Sequence, residues 1–311
     1  MVFSQALLGA VASSAVAALT GAGYVGGGQP GVLATVDKFA FPSDSRTTLG
    51  TGLTTARFVP GGLANSGTAG YFGAGFDPPD NYSSVEKIAF ADDAVSTLSA
   101  ALTAARRSLA GMANSGTAGY WMGGHTSTQV TTVDKQTFSG DTIAALSTGL
   151  SAARDGMAGF ANSGTAGYSA GGSGSGGPVV ATVDKFAFSD DGRTTLGTGI
   201  SLAMGGLAGF ANSGTAGYAA GGFVGATAYD TVDKFAFSDD GRTTLGTGLS
   251  SGRTNMAAFA DSGVAGYVAG GGAGVTTVDK FAFSDDSRTT LGTGLSSTRY
   301  NSAGMSDSGT L

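Results

Sequence analysis

The stretch from Thr182 to Gly199 reads TVDKFAFSDDGRTTLGTG, and it returns unchanged from Thr231 to Gly248. Within it, Thr182 to Phe188 is rich in β-formers. It ends at Ser189-Asp190-Asp191-Gly192, where Asx side chains and glycine favour a reversal of the chain. Arg193 to Ile200 then reads as one more short segment. Upstream, Gly156 to Ala161 runs into Asn162-Ser163-Gly164, a tight-turn signal, and Ala166 to Gly172 (AGYSAGG) closes on a glycine pair. The predicted unit is therefore four short strands divided by turns.

The unit recurs along the whole chain. Tyr24, Tyr71, Tyr120, Tyr168, Tyr218 and Tyr267 occupy one repeat position, which gives six copies. Every lysine (Lys38, Lys87, Lys135, Lys185, Lys234, Lys280) also falls on one repeat position, each preceded by an acid, and ANSGTAGY begins at Ala64, Ala113, Ala161 and Ala211. Four strands in a period just under 50 residues describe a propeller blade.

Composition excludes several functions. Of 311 residues 56 are glycine, 12 % are charged and the net charge is −6, with the charges spread along the chain. Phosphate tracking needs clustered Lys and Arg, so no nucleic-acid partner is expected. With 41 % apolar residues the chain can bury a core. Cysteine is absent and His125 is the only histidine, which removes disulfide scaffolds, thiol nucleophiles and multi-His metal sites. No metal and no cofactor are expected.

The order of arginine, small-residue strand, turn, Tyr-x-x-Gly-Gly, variable loop, Val-Asp-Lys-Phe strand, turn and last strand resembles the Kelch repeat. Arg154, Tyr168, Gly171, Gly172, Val183 and Phe186 fall on that pattern. The family's tryptophan near the fourth strand is replaced here by Leu196. The ANSGTAGY texture is also similar to repeats of tailed phages, cyanophages included, and of some bacterial surface proteins. The resemblance implies an all-β, six-bladed Kelch-like β-propeller with four-stranded blades over residues 21–311. Residues 303–310 match the first strand of a unit and are expected to complete the first blade and close the ring, which removes exposed sheet edges. The uncharged residues 1–20 lack the basic start of a signal peptide and are read as an apolar docking extension, without a membrane span.

Strand alternation puts Asp184, Phe186 and Phe188 on one face and Val183, Lys185 and Ala187 on the other. The acid of one blade is expected either to meet the lysine of its neighbour or to reach solvent beside it. The Ser-Asp-Asp-Gly turns have Asx-turn chemistry and lack the ligand spacing of a calcium loop.

The copies differ most between the second and third strands. Phe76, Asp77, Asn81 and Tyr82 form the richest of these loops, with Phe223 and Tyr229 next. His125 lies in such a loop close to Trp121, the only tryptophan, and no motif supplies it with a catalytic partner. Arg57, Arg106, Arg154, Arg253 and Arg299 share one repeat position in the links between blades, on the same side as these loops; Met204 stands there after the fourth unit. A constant framework with variable loops on one face is how binding surfaces are built, and aromatics with Asp and Arg suit a carbohydrate or a partner protein. Drift in unconstrained loops, with the arginines sealing blade junctions, leaves the same pattern. The resemblance to phage repeats implies a non-enzymatic, virion-associated phage component, a tail, fibre or capsid-decorating protein, found on the virion or outside cells. It would contact a host-surface glycan or protein, with residues 1–20 docked on other subunits of a larger assembly. A secreted bacterial adhesion module and a Kelch-type sugar-processing enzyme are the alternatives.

Overall fold

The computed structural model describes residues 21–272 and 274–308. The docking extension expected at 1–20 lies outside them, as do the last residues of the strand expected at 303–310. The described residues form six four-stranded antiparallel sheets in a β-propeller without helices, and five of the sheets are meanders that run from the axis outward. Blade four shows the plan. Ala158–Asn162 is innermost, followed by Ala166–Ala170, Val183–Ala187 and Arg193–Thr195 at the rim. The inner two strands are almost wholly buried, whereas the outer strand is exposed and polar.

Ring closure follows the sequence expectation. Ala303–Ser306 pairs antiparallel with Ala22–Gly26, setting Tyr24 opposite Met305, and so supplies the innermost strand of blade one.

Two glycine positions set how closely the blades approach. Gly62, Gly111, Gly159, Gly209 and Gly304 lie on the inner strands, and a Cβ on any of them would overlap a backbone carbonyl of the preceding blade. In blade six Ala258 holds the equivalent place. On the second strands, Gly217 faces the ring of Phe160 from blade four and Gly266 faces Phe210 from blade five; Gly70, Gly119, Gly167 and Gly23 face Met305, Leu63, Met112 and Phe259 in the same way. Each hole in one blade thus receives the inner-strand knob of its neighbour. The knobs continue into aromatic stacks, such as Phe160 on Tyr168 at 5.2 Å and on Phe235 at 5.8 Å.

Three polar rings join the blades. The repeat tyrosine and lysine both reach the next blade. Tyr168 Oη donates to Asp240 Oδ1 at 2.7 Å, and Lys185 Nζ lies 2.8 Å from Asp240 Oδ2. The same arrangement recurs at all six boundaries, including Tyr267 and Lys280 onto Asp44 across the seam. The lysine partner is therefore the last acid of the turn before the outer strand, and not the neighbouring strand's own Asp. That acid sits at positive φ (56° at Asp191), which aims its carboxylate across the boundary. The second ring joins the ANSG turns: Ser115 N–H donates to Ser163 Oγ at 3.0 Å and Gly164 N–H to Asn114 Oδ1 at 2.9 Å.

The third ring is buried. Arg57, Arg106, Arg154, Arg253 and Arg299 are at most 2 % exposed and pair with Glu86, Asp134, Asp184, Asp279 and Asp37. These acids are the ones that precede the lysines. Burial pulls each guanidinium below its ordinary value and the paired carboxylate pulls it back. At Asp184 burial pushes the carboxyl up, but hydrogen bonds from Ser151 and Thr195 and the charge of Arg154 hold it below its ordinary value.

Candidate functional site

Each blade-to-blade link passes beside the loop between the second and third strands of a neighbouring blade. Phe58 bridges to Phe76, Arg107 to His125, Arg154–Asp155 to Ser173–Gly174, and Gly205 to Phe223. Because the bridges come from the backbone, side chains there are free to differ between copies. Together they surround the mouth of the axis on one face. The resulting vestibule has a volume of about 410 Å3.

Its wall contains Phe58, Phe76, Arg107, Asp155, Ser173 and Phe223. Phe76 and Phe223 stand at one repeat position on blades two and five, three blades apart and hence across the axis from each other. Phe58 meets Phe76 edge-on at 5.3 Å, and the Arg107 guanidinium lies over the Phe76 ring at 4.5 Å. Arg107 Nη1 also donates to Asn81 Oδ1 at 2.9 Å, and Asn81 Nδ2 donates to the Thr126 carbonyl at 3.1 Å. His125 Nδ1 sits 3.0 Å from that carbonyl. Burial pushes the Asp155 carboxyl above its ordinary value, against the opposing pull of His125, Gln129 and Arg107.

The floor is a ring of six equivalent residues: Val59, Ser108, Gly156, Gly206, Asn255 and Asn301. All have φ between +48° and +66°. This left-handed region disfavours side chains, most of all a β-branched one such as Val59. The ring is held by backbone hydrogen bonds running around the axis. Ser108 N–H donates to the Val59 carbonyl at 2.9 Å, Val59 N–H to Asn301 at 2.7 Å and Asn301 N–H to Asn255 at 2.8 Å. Between blades four and five the donor shifts by one residue, to Leu207 N–H at 3.2 Å from the Gly156 carbonyl. The same boundary carries Met204 in place of the arginine. Its Asp233 is satisfied by Ser201, Thr244 and Arg242. Below the floor, the throat between the inner strands has about 100 Å3, room for a short file of waters.

Of the residues singled out from the sequence, Phe76 and Phe223 line the vestibule, and Asn81 and His125 adjoin it through Arg107. Asp77 lies beside them in the small hairpin of Phe76–Asp77 with Asp80–Asn81. Tyr82 is stacked on the Arg57 guanidinium at 5.2 Å, and Tyr229 packs on the core between blades four and five. Trp121 and the five repeat arginines are not surface residues. Trp121 is fully buried, with Nε1 donating to Gln136 Oε1 at 3.1 Å, and each arginine is spent on a buried carboxylate. The arginines seal blade junctions, so a ligand on the loop face meets none of these six side chains.

Sequence reasoning missed Phe58, Arg107, Asp155, Asn255 and Asn301. The signal was present: they occupy the two positions after the repeat arginine, where the copies diverge as strongly as in the loops.

Among the described residues no cluster of three metal-ligating side chains occurs. No family model matches the chain, and no curated protein matches it.

Proposed function

We propose that the protein is a non-enzymatic binding propeller whose vestibule face engages a glycan, displayed on a virion or a secreted bacterial surface assembly. One observation carries the reading. A framework copied almost residue for residue diverges chiefly where its side chains surround the vestibule. Phe223, with Phe76 and the Arg107 it carries across the axis and with amides and an acid between them, suits a sugar: the free ring stacks on an apolar CH face and the polar groups fix hydroxyls. The virion assignment is supported by the resemblance of the repeats, and copurification with phage particles as opposed to bacterial cell surfaces tests it.

A glycan array probed with the native protein, Phe76→Ala and Phe223→Ala tests the binding reading. A defined subset of glycans is expected to bind, with about a tenfold loss in each variant. Absence of binding to every glycan would overturn it. Asp155, the only acid in the vestibule wall among the described residues, favours the enzyme alternative. Sugar turnover abolished by Asp155→Asn, with binding retained, would replace the present reading.

A further inference from the structure

We infer that the vestibule selects glycans ending in a carboxylate-bearing sugar, and that Arg107 is the residue that reads the acid. This rests on the glycan-binding reading above.

The chain has 16 Lys and Arg residues. Among the described residues all but one make an ion pair with a carboxylate. The exception is Arg107, which lies in the vestibule wall. Its side chain is nonetheless held in place. The plane rests on Phe76, Nη1 is fixed by Asn81, and Asn81 is fixed in turn by the Thr126 carbonyl. A guanidinium pre-positioned by an aromatic ring and an amide loses little freedom on binding. Its Nε and Nη2 have no hydrogen-bond partner among the described residues. That edge presents two parallel N–H groups, the fork that matches a carboxylate in bidentate fashion.

Three features narrow the class. Asp155 shares the wall with Arg107, so a singly charged carboxylate meets less repulsion than a doubly charged phosphate. The Phe76 ring is covered by Arg107, which leaves Phe223, across the axis on Gly205 and Gly206, as the platform for the sugar's apolar face. The room falls from about 410 Å3 in the vestibule to about 100 Å3 in the throat. The floor between them is closed around the axis by backbone hydrogen bonds, and a chain end is the part of a glycan that suits the mouth above it.

Calorimetric titration of the full-length protein with matched oligosaccharides tests this. The probes are one backbone ending in a uronic acid, its carboxyl-reduced counterpart, a terminally sulfated counterpart, and the same acid placed internally under a neutral cap. The uronic acid end is expected to bind about ten- to a hundredfold more tightly than the other three. Arg107→Gln is expected to erase that preference while keeping the melting temperature. Arg107→Lys, which keeps the charge but not the fork, should fall between. Equal affinity for acid and reduced ends, tighter binding of the sulfated or internal form, or an unchanged preference in Arg107→Gln overturns the inference. Failure of all four probes and of every array glycan overturns the glycan reading itself.

Discussion

Asp261 and Asp307 stand where the other turns of this kind carry Asn65, Asn114, Asn162 and Asn212. The asparagines hand Oδ1 to the glycine N–H of the next turn. The two acids face the ring seam instead: Asp307 Oδ1 accepts from Ala22 N–H at 2.7 Å and Asp261 Oδ1 from Ser308 Oγ at 3.1 Å. Burial pushes both carboxyls above their ordinary value, and those hydrogen bonds recover only part of the shift. An acid whose value is raised by folding holds its proton longer in the native state, so stability falls as pH rises above the ordinary carboxylate range. Asp261→Asn and Asp307→Asn keep the acceptor and remove the charge. Each is expected to raise the melting temperature by about 1–2 °C at pH 7 and to leave it unchanged near pH 3.5. Melts at the two pH values decide it, and an equal shift at both would count against the burial argument. Such residues show why part of the site was illegible in the sequence. The turn at Asp190-Asp191 was readable from local chemistry, but the partners of Asp191, Tyr120 and Lys135, come from the preceding blade. Arg107 was hidden differently: it follows the repeat arginine Arg106, whose regular spacing accounts for the local pattern without it.

At the scale of the strand, the sequence disclosed which segments pair but not how tightly blades abut. The thin inner strands were legible as Gly and Ala runs. What makes them obligatory is a neighbour's side chain, which no single unit contains. Gly217 is the clearest case, since its missing Cβ is where the Phe160 ring of blade four lies. Gly217→Ala forces that ring aside in a packed aromatic stack and is expected to cost about 1–3 kcal/mol. The equivalent knob between blades two and three is Leu63, so a smaller side chain is compatible with the position. Phe160→Leu combined with Gly217→Ala should therefore cost less than the sum of the two single changes. Denaturant unfolding of the three variants measures the coupling. Strict additivity would show that ring and hole do not pack as a unit.

The whole molecule has two unlike ends. Gly26 leads into the vestibule face through Gln29, so the start of that strand at Ala22 lies on the opposite face. The last strand runs away from Asn301, placing Ser308 there too, beside Gly21. The described residues thus begin and end on the face of the ANSG turns, opposite the variable loops. Both ends meet in blade one, and closure there holds three things at once. Ala303–Ser306 completes the sheet, Gly304 completes the inner ring, and Met305 fills the hole at Gly70. Ending the chain after Ser302 empties that hole and leaves Ala22–Gly26 as an open edge on the axis. A fall in melting temperature of roughly 10 °C is expected. A synthetic peptide of residues 303–311 should restore much of it, because the vacated edge offers the backbone register of Gly23 to Gly26 to any matching strand. A scrambled peptide of the same composition should not. An unchanged melt after truncation would mean that the remaining five blade boundaries carry the ring without closure.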